Sequence, residues 1–239
     1  MHLHISETKN ALVVEFADWL VSEIKKVLIK STRCTIALSG GSTPIDLFKL
    51  LASDSFKSKI DWAKLHIFWG DERNVPFTDD LNNSKHAFSI LLNHVPIPPN
   101  QIHIIDTSVD AQFAAAKYEE ILHAYFDNKP TSFDIVMLGM GDDGHTLSLF
   151  PGTVAVTEEV KWAMAFYLDA QKMNRITLTS AIVNKAAAIC FLAAGKGKAL
   201  TLKEVLQGEY QPLLYPSQKI KPTNGELYWF VDKDAASAL

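Results

Sequence analysis

Short apolar runs with little polar alternation constrain this chain more than any other feature of it. TIAL (35–38), HIFW (66–69), DIVML (134–138) and AAAICFLA (186–193) have the character of strands covered on both faces in a parallel sheet. Amphipathic stretches separate them. Residues 7–30 place Leu12, Val13, Phe16, Leu20, Ile24, Val27 and Leu28 at the three-and-four spacing of a helix. Further helices are expected from Ser42 or Thr43 to about Leu51, over 83–92, over 111–126, and from about Lys198 to Leu206 before Gly208. Short strands are expected at 102–105, 162–168, 176–179 and 226–231. Strands alternating with helices imply right-handed crossovers, hence an α/β fold with a mostly parallel sheet and helices on both faces. The ten prolines and eleven glycines are scattered, and no linker or repeat interrupts the pattern, so a single domain over 1–239 is expected.

In such folds ligands bind beyond the carboxyl ends of the strands. Three loops, SGGSTP (39–44), GDERNVP (70–76) and GMGDDGH (139–145), each follow an expected strand and should share that rim. In the first, Gly40 and Gly41 let backbone approach a ligand, and Ser42 or Thr43 as N-cap with Pro44 as first helical residue would present free N–H groups to a phosphate. The lysine of a nucleoside-triphosphate loop is missing, and an ordinary capped turn accounts for the same residues. In the second, Arg73 after Asp71 and Glu72 offers the forked donors that suit phosphate oxygens, while a self-paired charge triplet is the competing reading.

The third loop spells GxGxxG, yet Asp142 and Asp143 would repel a diphosphate and Pro151 arrives too soon for the long helix that a dinucleotide needs. Asp169 alone stands roughly where a ribose-binding acid would. The glycines can instead bend the strand exit so that His145 is presented beside Asp143. An imidazole with pKa near ~6.5 is the natural base for taking a proton from water, and a neighbouring carboxylate fixes its tautomer. Lys172, Arg175 and the GKGK turn (195–198) add positive charge late in the chain. Lys198 in a first helical turn opposes the helix dipole, as the partner of an anion or as a solvated side chain.

Lys and Arg number 23 against 27 Asp and Glu, a formal charge of −4 that argues against nucleic acid as a partner. The opening MHLHISETKN has no export signal, and no apolar run approaches the length of a membrane span, so a cytoplasmic protein with no membrane partner is expected. Cys34 and Cys190 read as inert core thiols of a reducing compartment. No HExxH or comparable cluster suggests a metal, no GxSxG elbow suggests a covalent nucleophile, and no cofactor is expected.

Taken together, SGGSTP (39–44), DERNVPFTDDLNN (71–83), GMGDDGHTLSLFP (139–151) and KPTNGELYWFVD (221–232) resemble the 6-phosphogluconolactonase family along almost the whole chain. The related glucosamine-6-phosphate deaminases typically continue DGH differently and tend to lack an Arg at position 73. The resemblance implies a modified Rossmann-like three-layer sandwich without a dinucleotide. It implies metal-free hydrolysis of a small sugar-phosphate lactone, 6-phospho-D-glucono-1,5-lactone, by a monomer or homodimer of the pentose phosphate pathway. It carries over His145 as catalytic base with Asp143 in support, and Arg73 and Lys198 as phosphate-binding cations. Arg175 lies in the family's Arg-[IM]-Thr stretch, Gly40, Gly41, Ser42 and Thr43 line the pocket, and Asp71 and Asn83 lie on the substrate side. Asn82 replaces a usual Ser, and Leu147 a common Ala. Deamination of a sugar phosphate and non-catalytic sensing of one are the alternative expectations.

Overall fold

The computed structural model describes residues Met1–Leu239. In chain order the elements are β1 (His2–Ser6), α1 (Lys9–Lys30), β2 (Cys34–Leu38), α2 (Ser42–Ala52), the single turn α3 (Asp54–Lys57), β3 (Leu65–Trp69), β4 (Asp71–Arg73), α4 (Asn83–Ile90), β5 (Ile102–His103), α5 (Ala111–Phe126) and β6 (Ile135–Gly139). They continue with the turn α6 (Val154–Thr157), β7 (Ala163–Leu168), β8 (Met173–Leu178), the turn α7 (Ser180–Val183), β9 (Ala188–Ala193), α8 (Ala199–Gln207) and β10 (Glu226–Asp232).

The apolar runs do form the central strands. β2 and β9 are buried at every position, and they lie inside a seven-stranded sheet of order β1-β10-β9-β6-β2-β3-β5 in which every pairing is parallel. α1 buries Leu12, Val13, Phe16, Ala17, Leu20, Val21 and Ile24, and Phe16 meets Phe230 of β10 edge-on at 5.0 Å. Apart from Ala17, each such side chain contributes about 1.5–3 kcal/mol on burial, so truncating Phe16 to Ala is expected to cost about 3–5 kcal/mol. No helix is long and apolar enough to cross a membrane.

Several local expectations change. β1 is a strand although its alternating HLHIS sequence carries no continuous apolar run. What fixes it is parallel pairing with β10, His2 opposite Tyr228, and stacking of His4 on Phe230 at 4.4 Å. The strands expected at 162–168 and 176–179 leave the main sheet and form an antiparallel hairpin, β7–β8. They are joined there by β4, cut from the stretch expected to be a loop. This separate sheet, β4-β8-β7, carries Asp71, Arg73 and Arg175 of the candidate site.

Strand order reverses between β2 and β6. From β2 the chain builds outward through β3 to β5, and from β6 outward through β9 to β10, with the N-terminal β1 at that edge. A reversal of this kind opens a crevice at the carboxyl ends of the two strands. The glycine loops after β2 and β6 stand on its two sides, close enough that a Cβ on Gly139 would touch Ser39 Oγ at 4.0 Å.

Candidate active site

At that reversal lies a cleft of about 250 Å³, lined by the β2–α2 loop, β4, the loop after β6, β8 and the start of α8. Gly41 begins α2 with φ +104°, a left-handed value that glycine adopts without strain. It occupies the N-cap, so neither Ser42 nor Thr43 does, and Pro44 is the third helical residue rather than the first. No side chain caps this end. Its leading N–H groups and the positive end of the helix dipole therefore remain for a ligand. Gly40 is required by packing: a Cβ there would lie 2.0 Å from Asn83 Oδ1. Asn83 is held in place by donating from Nδ2 to the Asp71 carbonyl at 3.1 Å.

The small sheet organises the cationic side of the cleft. Antiparallel register sets Arg73 directly opposite Arg175, a like-charge pairing that is unfavourable alone. Asp71 offsets it. Its Oδ2 accepts from Arg175 Nη2 at 2.7 Å and from Ser148 Oγ at 2.6 Å. Burial opposes ionisation of Asp71, but Arg175, Arg73 and the Ser148 hydroxyl outweigh it and hold the carboxyl below the usual range. Arg175 also donates from Nη1 to Gln171 Oε1 at 2.8 Å, and Arg73 from Nη1 to the Leu81 carbonyl at 2.7 Å. The Nε atoms of both arginines are buried without a partner in the protein. Glu72, between Asp71 and Arg73 in sequence, turns away from the cleft. Its carboxylate is fully buried and accepts from the backbone N–H groups of Arg73, Asn83 and Ser84 and from Ser84 Oγ, which fastens α4 to β4. Burial pushes its carboxyl up despite these four donors.

On the other side, the loop after β6 presents His145. Gly141 donates its N–H to the His145 carbonyl at 2.8 Å, and a Cβ on Gly141 would stand 2.1 Å from His145 Nδ1. The second glycine of the GxGxxG pattern thus makes room for an imidazole, not for a pyrophosphate. Nδ1 lies 2.5 Å from Asp143 Oδ1, which also accepts the His145 backbone N–H at 3.1 Å. Partial burial disfavours the Asp143 anion, but the hydrogen bonds from His145 prevail and keep its carboxyl below the ordinary range. With Nδ1–H donated to this carboxylate, Nε2 is the basic atom of the ring. The ring stacks on Phe150 with centroids 4.1 Å apart.

Asp142 has a different role from the repulsion expected of it. Its Oδ1 accepts from Lys198 Nζ at 3.0 Å, and the Met140 carbonyl accepts from the same ammonium at 2.5 Å. Lys198 precedes the first residue of α8. The exposed ion pair adds about 0–1 kcal/mol of stability, so its main effect is to aim the ammonium at the cleft.

His145 and every substrate-side residue expected from the sequence, namely Gly40, Gly41, Ser42, Thr43, Asp71, Arg73, Asn83, Arg175 and Lys198, line this one cleft. Asp143 stands behind His145 instead. Lys172 is an exposed turn residue at φ +49°, and Asp169 opens that same β7–β8 turn, so neither lines the cleft. Sequence reasoning missed Gln171, Ser148 and the apolar floor of Leu147, Phe150 and Leu192. Only Leu147 carried a sequence signal, as a departure from the residue usual in the family it resembles. No group of three or more His, Cys, Asp or Glu side chains is placed to hold a metal ion. Burial pushes both cysteine thiols up, leaving them unreactive.

Comparison with known proteins bears on this geometry. The chain matches the family described as glucosamine-6-phosphate isomerases/6-phosphogluconolactonase over residues 7–229. It is 37% identical over 235 residues to the 6-phosphogluconolactonase of Nostoc sp., covering 97% of this chain and 95% of that one. The crystal structure of 6-phosphogluconolactonase from Thermotoga maritima superposes with a TM-score of 0.84 at 28% identity, covering 97% of this chain and 99% of that one. A monomeric glucosamine-6-phosphate deaminase superposes with a TM-score of 0.86 at 18% identity over 100% of both chains. That second superposition shows a shared fold alone.

Proposed function

The chain belongs to the family of glucosamine-6-phosphate isomerases and 6-phosphogluconolactonases, and on that premise we propose that it hydrolyses 6-phospho-D-glucono-1,5-lactone to 6-phospho-D-gluconate in the oxidative branch of the pentose phosphate pathway. The observation that carries the reading is the His145–Asp143 pair at 2.5 Å in a cleft that also holds Arg73, Arg175, Lys198 and an uncapped helix start.

Arg73, Lys198 and the α2 N-terminus hold the 6-phosphate, with Arg175 held on the same wall by Asp71. The lactone carbonyl then lies beside His145. Nε2 of His145 removes a proton from water, the water oxygen bonds to C1, and the carbonyl electron pair moves onto its oxygen. Asp143 stabilises the imidazolium that forms, through the Nδ1–H bond. The tetrahedral oxyanion reforms a carbonyl as the bond from C1 to the ring oxygen breaks, and Nε2–H protonates that departing oxygen. The new carboxylic acid loses its proton to solvent. Because a lactone of this kind also opens unaided, positioning and one general base supplying about 10²–10⁴-fold suffice, and no step needs a metal or a cofactor. Two buried free thiols suit a reducing compartment, so the proposed location is the cytoplasm.

A coupled assay tests the reading. Oxidation of glucose 6-phosphate generates the lactone, and its disappearance is followed with and without the protein. Hydrolysis well above the spontaneous rate is expected, with no ammonia released from glucosamine 6-phosphate. An unchanged rate at micromolar protein would remove the proposal.

A further inference from the structure

Three non-glycine residues have positive φ: Asn128, Lys172 and Leu147. The first two lie in exposed turns, where a left-handed residue is ordinary. Leu147 does not. It has φ +55°, is 6% exposed, lines the cleft, and follows His145 by two residues. A large aliphatic residue in this conformation persists only where its surroundings over-determine it.

Those surroundings are specific. Residues 146–149 form a tight turn, with Thr146 bridged to Leu149 and the Leu149 N–H donated to the Thr146 carbonyl at 2.9 Å. Ser148 pins the far side by donating its N–H to Thr177 Oγ1 at 3.1 Å and its hydroxyl to Asp71 at 2.6 Å. The Leu147 side chain reaches the bare Cα of Gly70, where a Cβ would lie 2.6 Å from Leu147 Cδ2. Gly70 is itself fixed. It donates its N–H to the Leu38 carbonyl in the main sheet and accepts from the Leu178 N–H in the small sheet, both at 2.8 Å. The residue that joins the two sheets therefore also supplies the seat for the strained leucine beside the imidazole.

We propose that Leu147 is a positioning residue: seated in the space left by the missing Cβ of Gly70, it holds the 146–149 turn left-handed and so fixes the imidazole of His145 in the cleft. This rests on His145 acting as the base in the reading above. A methyl group at position 70 displaces Leu147 either into the cleft or along the turn, and misplacement of a catalytic group by about 1 Å costs about 10²-fold.

The test is a cycle of Gly70→Ala, Leu147→Ala and the double variant, measuring kcat, KM and the pH profile of kcat/KM, with ring titration of His145 by NMR as a second readout that needs no turnover. Gly70→Ala is expected to lower kcat/KM by about 10–100-fold and to shift the His145 titration. The double variant should return both to within about threefold of Leu147→Ala alone, since the obstructing side chain is then gone. If Gly70→Ala does not fold, the double variant still decides, because it should fold and work as well as Leu147→Ala. A Leu147→Ala or Gly70→Ala enzyme indistinguishable from wild type in rate and titration, or a double variant no better than Gly70→Ala, overturns the proposal. A wild-type protein without lactonase activity refutes the functional reading instead, and the NMR arm still judges the pairing.

Discussion

Asp71 and Arg175, 104 residues apart in sequence, meet through a 2.7 Å hydrogen bond with both side chains buried. This contact lets Arg73 stand opposite Arg175 without a net repulsion, and so places two guanidinium groups on one wall of a cleft whose other wall carries an imidazole. The guanidinium wall thus comes from the small sheet, and the imidazole, the ammonium of Lys198 and the α2 N-terminus from loops of the main one. Each can be perturbed separately.

Arg175→Leu removes the ion-pair partner of a buried carboxylate, and unfolding free energy should fall by about 3–5 kcal/mol, measured by urea denaturation near neutral pH. The folded wild type holds Asp71 below the ordinary carboxylate range. Its contribution is therefore fully present above the unfolded value near ~3.9 and is lost as pH falls through the lower folded value. Wild-type and variant stabilities should draw together in acid. A gap that stays constant into acid would mean that the pair is not the cause.

His145→Ala should lower kcat by about 10²–10⁴-fold, the usual contribution of a positioned base, while 6-phosphogluconate still binds in an equilibrium titration. Unchanged kcat would end the assignment of His145 as base.

Gly141→Ala should be nearly as damaging although the residue carries no functional group, because its Cβ would lie 2.1 Å from His145 Nδ1. A loss of about 10²-fold in kcat is expected, with the thermal transition retained. Full activity in this variant would show that the imidazole has room that the geometry denies it.

Arg73→Ala should act mainly on KM, raising it about 10–100-fold for the loss of charge-assisted hydrogen bonds, with kcat at saturation changed far less. Lys198→Ala should do the same, and wild-type KM should rise with ionic strength as the exposed ammonium is screened. A normal KM for Arg73→Ala would take this residue out of the phosphate site.

Much of the candidate site was legible because its residues carry chemistry at the ends of readable strands. His145, Arg73 and the paired glycines stand just beyond β6, β3 and β2, where apolar runs stop abruptly. Gln171 and Ser148 were not legible, since a neutral amide and a hydroxyl have no meaning until Arg175 and Asp71 are seen to need them. β4 was read as loop because three charged residues in a row resemble a solvated turn. It is a strand because β8 supplies antiparallel partners, and because Glu72, pointing the other way, finds three donors at the start of α4.

Local periodicity and turn chemistry, which act over a few residues, were enough to determine the parallel sheet, the main helices and the loops that line the cleft. Tertiary structure alone decided that two late strands leave that sheet, that Asp142 turns to Lys198, and that Gly70 leaves space for Leu147. Each of these depends on groups brought together from distant parts of the chain, and the energy of such a contact is set by what burial removes from water and leaves to be paired, which no short stretch of sequence encodes.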